Sequence, residues 1–247
     1  IVMAADQTLY VRDGGTGTAC TDWTAANACD QLSTAEALVN RASYDSVTIY
    51  VADGTYLGAT IDAAVSGTKT LTIKKANASE HGTAIGWDNS YGDGQATFQW
   101  LTRSNIVLHA SAIRLITSYV TIDGGVLMGA VNDIGSYGFI FKYPADMNTN
   151  TKTGANLGSI SAPDTSATNR TMSNIKILRS AIEGPGDISC INGTPYSYTN
   201  GGLQMKSTNA TNYEIANNYF YGWSVQITMY GPRNVTIHDN YFDSNSS

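Results

Sequence analysis

Charge is what this 247-residue sequence has least of: Asp, Glu, Lys and Arg make up 14% of it, against roughly a quarter in an average soluble domain. Acidic residues outnumber basic ones, 20 to 14, for a net charge of −6. No run of Lys or Arg appears, which argues against a nucleic-acid partner, because phosphates demand clustered cations. Nothing approaches the roughly 18 consecutive apolar residues of a membrane helix, so no transmembrane segment is expected. Proline is scarce, 5 residues beside 24 glycines, which suits many tight turns and few rigid ones. Cysteine is limited to Cys20, Cys29 and Cys190, an odd set. Cys20 and Cys29 flank a short loop, and a disulfide between them would be worth about 2–3 kcal/mol by loop closure. Three reduced, buried thiols are the alternative. The low charge and neutral polar surface point to an extracellular or cell-surface location, where disulfides persist. Ile1-Val2-Met3-Ala4-Ala5 matches the small-residue end of a secretory signal. Scarce charge does not mean disorder, since a hydrophobic content of 42% is ample for a core.

What the sequence has in abundance is self-similarity. Asn212-Tyr213-Glu214-Ile215-Ala216-Asn217-Asn218-Tyr219-Phe220-Tyr221 aligns with Asn234-Val235-Thr236-Ile237-His238-Asp239-Asn240-Tyr241-Phe242-Asp243 at an offset of 22 residues. Tyr119 to Leu127, with its second strand expected at Val126-Leu127, and Asn174 to Ile182 fit the same template, so the four copies are spaced 55, 38 and 22 residues apart. Similar segments with unequal gaps mean loops inserted between regular units. A period in the twenties requires stacking, because no single unit can bury its own apolar face. Alternate residues face opposite ways. Val235, Ile237 and Phe242 are therefore expected inward, and Glu214/Thr236, Ala216/His238, Tyr219/Tyr241 and Tyr221/Asp243 outward. Asn218 beneath Asn240 predicts an inward ladder, each amide bonding the corner backbone of the next unit.

Residues 1–45 read as a strand (Thr8 to Val11), the Cys20–Cys29 loop and one helix from Ser33 to Val39. Ser33 with Glu36 has the spacing of a capping box, and Ala35, Leu38 and Val39 form one apolar face. Such a helix suits a lid over the end of a sheet stack. From residue 46 the period becomes alternating, at Val47 to Val51, Lys69 to Lys74, Ala96 to Trp100, Ile106 to Leu108 and Ile113 to Ile116. Residues 46–247 are expected to form the repeat body, with long inserted loops at about 76–95, 142–171 and 184–201. The chain stops at Asn245-Ser246-Ser247 directly after a full-strength repeat. Its C-terminal end is thus expected to be incomplete or uncapped, and open to assembly with a neighbouring copy or domain.

The Val-x-Ile-x-x-Asn-x-Phe units, the Tyr-Val-Thr-Ile-Asp-Gly segment at 119–124 and the N-terminal cap helix resemble the right-handed parallel β-helix proteins of the pectate-lyase-like superfamily. The block from Thr72 to Phe98 is similar to uncharacterised secreted members. The resemblance implies an all-β fold, a right-handed parallel β-helix (solenoid) with a short N-terminal capping helix. It does not imply one activity, since such folds host lyases, hydrolases, tailspikes, adhesins and structural proteins.

Lyases of that superfamily abstract a proton α to a uronate carboxylate, with acidic residues on adjacent turns holding Ca²⁺ and a Lys or Arg as base. Asp239 and Asp243 are the nearest candidate metal ligands, with Glu214 one repeat behind and Arg233 close by. They flank the Asn240 corner, which argues against convergence on one ion, and solvated carboxylates are the plainer expectation. No cofactor is required; Ca²⁺ is the possible one. The Asn-Thr-Asp, Asp-Asp and Gly-His-Gly motifs of the family hydrolases are missing, and no catalytic residue is assigned. His81, in the first insertion, is expected to be a solvated loop residue, His109 a partly buried strand residue, and His238 an imidazole oriented by Asp239. The four Asp-Gly pairs, at Asp13, Asp53, Asp93 and Asp123, read as turns rather than Ca²⁺ loops.

Aromatics are the more informative surface feature. Tyr219, Tyr221, Trp223, Tyr230 and Tyr241 crowd the last fifth of the chain, where outward rings can meet sugar faces or another protein. Tyr also simply suits a half-exposed strand. The expected function is that of an extracellular β-helix surface or structural protein, non-catalytic, adhesive or filament-forming. Its Tyr/Asn-rich faces and loops would contact an extracellular polysaccharide or neighbouring copies of itself. A polysaccharide lyase or hydrolase is the alternative, and a tailspike-like glycan-binding module the second.

Overall fold

The computed structural model describes residues 6–99, 111–142, 160–162, 172–184, 202–206, 211–222 and 226–243. The structure is mostly β, and every paired strand lies parallel to its neighbour within three sheets. β1 (Gln7–Val11) opens the first sheet. The chain then visits the three sheets in an unchanging order: β2 (Ser46–Val51), β3 (Gly54–Leu57) and β4 (Ala59–Ile61) supply one strand to each. β5 (Thr70–Lys75), β6 (Ala96–Gln99) and β7 (Ile113–Leu115) repeat the cycle, followed by β8 (Val120–Asp123), β9 (Phe139–Lys142) and β10 (Ile160–Ala162). β11 (Ser173–Leu178), β12 (Ser180–Glu183) and β13 (Leu203–Lys206) come next, then β14 (Thr211–Ala216), β15 (Tyr219–Tyr221) and β16 (Ile227–Tyr230). β17 (Arg233–His238) lies at the far edge of the sheet that β1 opens, and β18 (Tyr241–Asp243) at the far edge of the sheet that holds β3. This arrangement is compatible with a parallel β-helix.

The register turns the sequence alternation into columns. Leu9, Ile49, Ile73, Ile122, Ile177, Ile215 and Ile237 stack along the first sheet, one per strand. Tyr56, Phe98, Phe141, Ile182, Phe220 and Phe242 stack along the sheet that holds β3. Both columns line the common core, and each fully buried residue contributes about 1.5–3 kcal/mol. The last members differ. Ile237 is 42% exposed and Phe242 47%, while Ile215 and Phe220 one strand back are fully covered. Position in the register is inward as expected, but no further described strand covers β17 and β18.

Asn218 carries the expected ladder. Its Oδ1 accepts from Ser180 N at 3.0 Å and its Nδ2 donates to Ile177 O at 2.8 Å, in a fully buried setting. Asn240 repeats this one unit on, accepting from Asn218 N and donating to Ile215 O. The first residue of each copy has a separate cause. Tyr119, Asn174, Asn212 and Asn234 all lie in the left-handed region, with φ of 58, 58, 58 and 54°. Asn tolerates that region better than other residues with a side chain, because its short amide hydrogen-bonds locally.

Several expectations need correction. The helix α1 spans Leu32–Glu36, so Ser33 lies inside it and Gln31 occupies the cap position with no side-chain cap bond. Glu36, at the far end, cannot reach back. Its Oε1 instead accepts from Asp62 N and Ala63 N at 2.9 and 2.6 Å. Leu32 and Ala35 are buried, and α1 packs against β1, β2 and β4. The copy beginning at Tyr119 lacks its second strand at Val126-Leu127. After the Gly124-Gly125 corner a segment is inserted, and the strand is β9. The corner needs Gly124 because a Cβ there would meet Arg179 O at 1.8 Å. The insertion at 142–171 is not wholly loop, since it contributes β10. The insertion at 76–95 holds a second short helix, α2 (Ala78–His81), and a 3-10 turn at Asn89–Tyr91. Ile106 to Leu108, His109, Cys190 and residues 185–201 lie outside the described residues. Cys20 and Cys29 are joined by a disulfide across a Cα separation of 4.9 Å.

Candidate functional site

Alternation on β11, β14 and β17 sends Lys176, Glu214 and Thr236 to the same register position on the outer face, with Ala216 opposite His238 in the next row. Lys176 Nζ lies 2.6 Å from Glu214 Oε2. That hydrogen bond holds the Glu214 carboxyl below the ordinary range. His238 Nε2 is 3.7 Å from Glu214 Oε1, and its Nδ1 is 2.8 Å from Asp239 Oδ2. The bond to Asp239 is the main cause raising the imidazole above its ordinary value. His238 is thus oriented by Asp239, as the sequence suggests.

Beside this network the left-handed asparagines form an outer ladder. Asn212 Nδ2 donates to Asn174 Oδ1 at 3.4 Å, and Asn234 Nδ2 to Asn212 Oδ1 at 3.3 Å. Together with Tyr213, Val235 and the Lys176–Glu214 pair they line a groove of about 380 Å³. The groove therefore combines amides with a neutralised ion pair. The repeat's leading Asn marks it in the sequence, but only the register shows that the amides meet.

The tyrosines form a second feature, on the outer side of β12, β15 and β18. Tyr219 stacks on Tyr241 at 5.4 Å and 11°, and on Tyr221 at 6.1 Å and 9°. Tyr137, from the segment after Gly125, also stacks on it at 5.8 Å. Tyr219 is consequently buried, at 5% exposure, which corrects its expected outward exposure. Its hydroxyl donates to Asp243 Oδ2 at 3.0 Å. Ring faces used against one another are not available to sugars, so Tyr219 serves packing, while Tyr221 and Tyr241 keep accessible parts. Tyr230 ends β16, a strand of another sheet, and Trp223 lies outside the described residues.

The two candidate metal ligands are separated by their partners: Asp239 faces His238, and Asp243 faces Tyr219. Among the described residues no group of three or more His, Cys, Asp or Glu side chains is placed to hold a metal ion. Of the Asp-Gly pairs, Asp123-Gly124 forms a tight corner. Asp123 Oδ1 accepts from Gly125 N at 2.9 Å, and its carboxylate is gripped by Arg179 through Nε and Nη2.

His81 is the residue whose setting differs most from expectation. It is buried at 5% exposure rather than solvated. Its ring centroid lies 4.3 Å from Tyr50, 5.2 Å from Trp23, 5.2 Å from Trp87 and 6.1 Å from Tyr10. Nε2 is buried without a hydrogen-bond partner. Burial pushes the imidazole below its ordinary value, with Glu80 pulling up and Lys74 and Lys75 pushing down. Contact of a cation with aromatic faces is worth about 0.5–2 kcal/mol, whereas an unpaired buried charge costs several, so the neutral ring is favoured. The signal available in sequence is the spacing of aromatics, Trp23, Trp87 and Tyr91, which carry no alternation and therefore look like loop residues. Lys75, next to this insertion, places its ammonium 2.5 Å from Asp53 Oδ1, 2.8 Å from Ala76 O and 3.3 Å from Tyr91 O.

Comparison with protein-family models, curated proteins and solved structures finds no match to this chain.

Proposed function

We propose that the three sheets are the faces of a right-handed parallel β-helix of pectate-lyase-like type, and that it is an extracellular, non-catalytic protein that contacts a polysaccharide. The observation carrying this is the groove over β11, β14 and β17, where three stacked Asn amides adjoin Lys176, Glu214 and Thr236. Amides and hydroxyls can exchange hydrogen bonds with sugar hydroxyls. The cyclic visit to three sheets supports the helix, and the strong bias of parallel crossover connections supports its hand.

The electrostatics favour contact over proton transfer. A general base works best with its pKa near the operating pH. Glu214 is moved down by Lys176, away from that range, and His238 is engaged by Asp239 and Glu214, so both are committed to neighbouring groups. A polysaccharide lyase or hydrolase would instead need one of them poised for proton exchange, or a site elsewhere in the chain.

Affinity electrophoresis through soluble neutral and uronic-acid polysaccharides tests the proposal. Retarded migration that is lost in Asn212→Ala/Thr236→Ala supports it. Unaltered migration in every polymer, or release of unsaturated chain ends, counts against it.

A further inference from the structure

The insertion after β5 is held to the first sheet at two places of different chemistry. Its distal part, around Tyr91 to Gly94, is tied by polar bonds: Asp53 N donates to Tyr91 O at 2.8 Å, Gly94 N to Asp53 Oδ2 at 2.5 Å, and Arg12 lies over the Tyr91 ring. Its proximal part, residues 78–87, is held mainly by rings. His81 sits among Tyr10 of β1, Tyr50 of β2, Trp23 of the disulfide loop and Trp87 of the insertion itself. One backbone bond, Trp23 N to Ile85 O at 3.1 Å, and the ion pair of Glu80 with Lys74 on β5 add to it.

We propose that the proximal insertion is an acid-released flap: protonating His81 detaches residues 78–87 and uncovers the stacked Tyr10 and Tyr50 rings, while the segment at 91–94 stays in place. The geometry carries this. An imidazolium at the position of His81 would bury Nε2–H against rings with no acceptor, since that atom has no partner now. The charged groups around it do not rescue the cation. Glu80, its neighbour in α2, is committed to Lys74. Lys74 and Lys75 on β5 repel it, and Lys75 is itself committed to Asp53. Arg12 on β1 adds a further positive charge at the Tyr91 side of the cluster. Asp22 beside Trp23 is occupied by Thr24 and Asn27, and Asp88 by Ser90. Detachment exposes Tyr10 and Tyr50, which stack at 6.2 Å and 19°, next to the outward Thr8, Thr48 and Thr72.

Hydrogen–deuterium exchange on the full chain between about pH 7.5 and pH 5 tests this, with rates corrected for the intrinsic pH dependence of exchange. The expected result is a loss of protection of about tenfold or more in 78–87 on acidification, with 91–94 unchanged. His81→Phe, which keeps a ring and removes the titration, should abolish the loss. Unchanged protection on acidification overturns the proposal, as does a loss that persists in His81→Phe, which would point to Glu80 or Asp53. Should His81→Phe fold poorly, the imidazole proton resonances of the unmodified chain decide. A His81 midpoint below the ordinary histidine value supports the flap, and one at or above it overturns it.

Discussion

At the scale of single residues, the amide of Asn218 shows how one side chain can join adjacent repeats. It satisfies Ser180 N and Ile177 O in a fully buried corner and donates to Asn240 Oδ1 in turn. Asn218→Ala orphans a buried donor and a buried acceptor, each costing about 1–3 kcal/mol. A loss of about 2–4 kcal/mol is expected in urea unfolding, with little change in the denaturant slope. This ladder is legible in sequence, because a polar residue recurring at a fixed position between apolar ones must find its partner in the neighbouring repeat. The left-handed backbone at Tyr119 is not. Its equivalents Asn174, Asn212 and Asn234 suit that conformation, whereas a bulky residue is strained by it. Tyr119→Asn is therefore expected to raise the thermal midpoint, by up to about 1 kcal/mol of added stability, and Asn212→Tyr to lower it.

At the scale of elements, the strands are readable and the insertions are not. Strands follow from alternation, which survives in sequence wherever one face is buried. The segment between Gly125 and Gly138 is hard to recognise because Val126 and Leu127 imitate the second strand of a copy. Only the corner at Gly124, too tight for a Cβ, separates them from it. The setting of His81 is hidden for a related reason: its partners come from β1, β2 and the disulfide loop, far apart in the chain. The Lys176–Glu214–His238–Asp239 network also depends on register across three strands, and it makes a pH prediction of its own. The folded-state pKa of His238 is raised, so its contribution to tying β17 to β14 is fully present below the unfolded histidine value and is lost as pH rises through the folded one. Imidazole titration followed by NMR should place His238 above His81, and His238→Gln should remove the pH dependence of β17 exchange. An inverted order of the two midpoints would refute both assignments.

At the scale of the whole molecule, parallel sheets visited in cyclic order explain why so little charge is needed. Backbone groups pair between successive units, columns of Ile and Phe fill the interior, and polar residues are left for the outside. Function is harder to read because the outward residues are the ones that vary between copies: Glu214 against Thr236, Ala216 against His238, Tyr221 against Asp243. Their variation marks these positions as the place to look. Sequence alone does not show that Tyr219 is covered by Tyr137, or that Asp239 and Asp243 turn to different partners. What remains exposed and polar is the Asn-lined groove beside the Lys176–Glu214 pair. There, we propose, a polysaccharide is held. The most direct test is the dissociation constant for a soluble polysaccharide retained in affinity electrophoresis, measured for the unmodified chain and for Asn212→Ala/Thr236→Ala. Loss of two or more hydrogen bonds of about 1 kcal/mol each predicts weakening of roughly tenfold or more, with the fold intact by circular dichroism. Equal affinity in the two proteins, or cleavage of the polymer in place of simple binding, would contradict it.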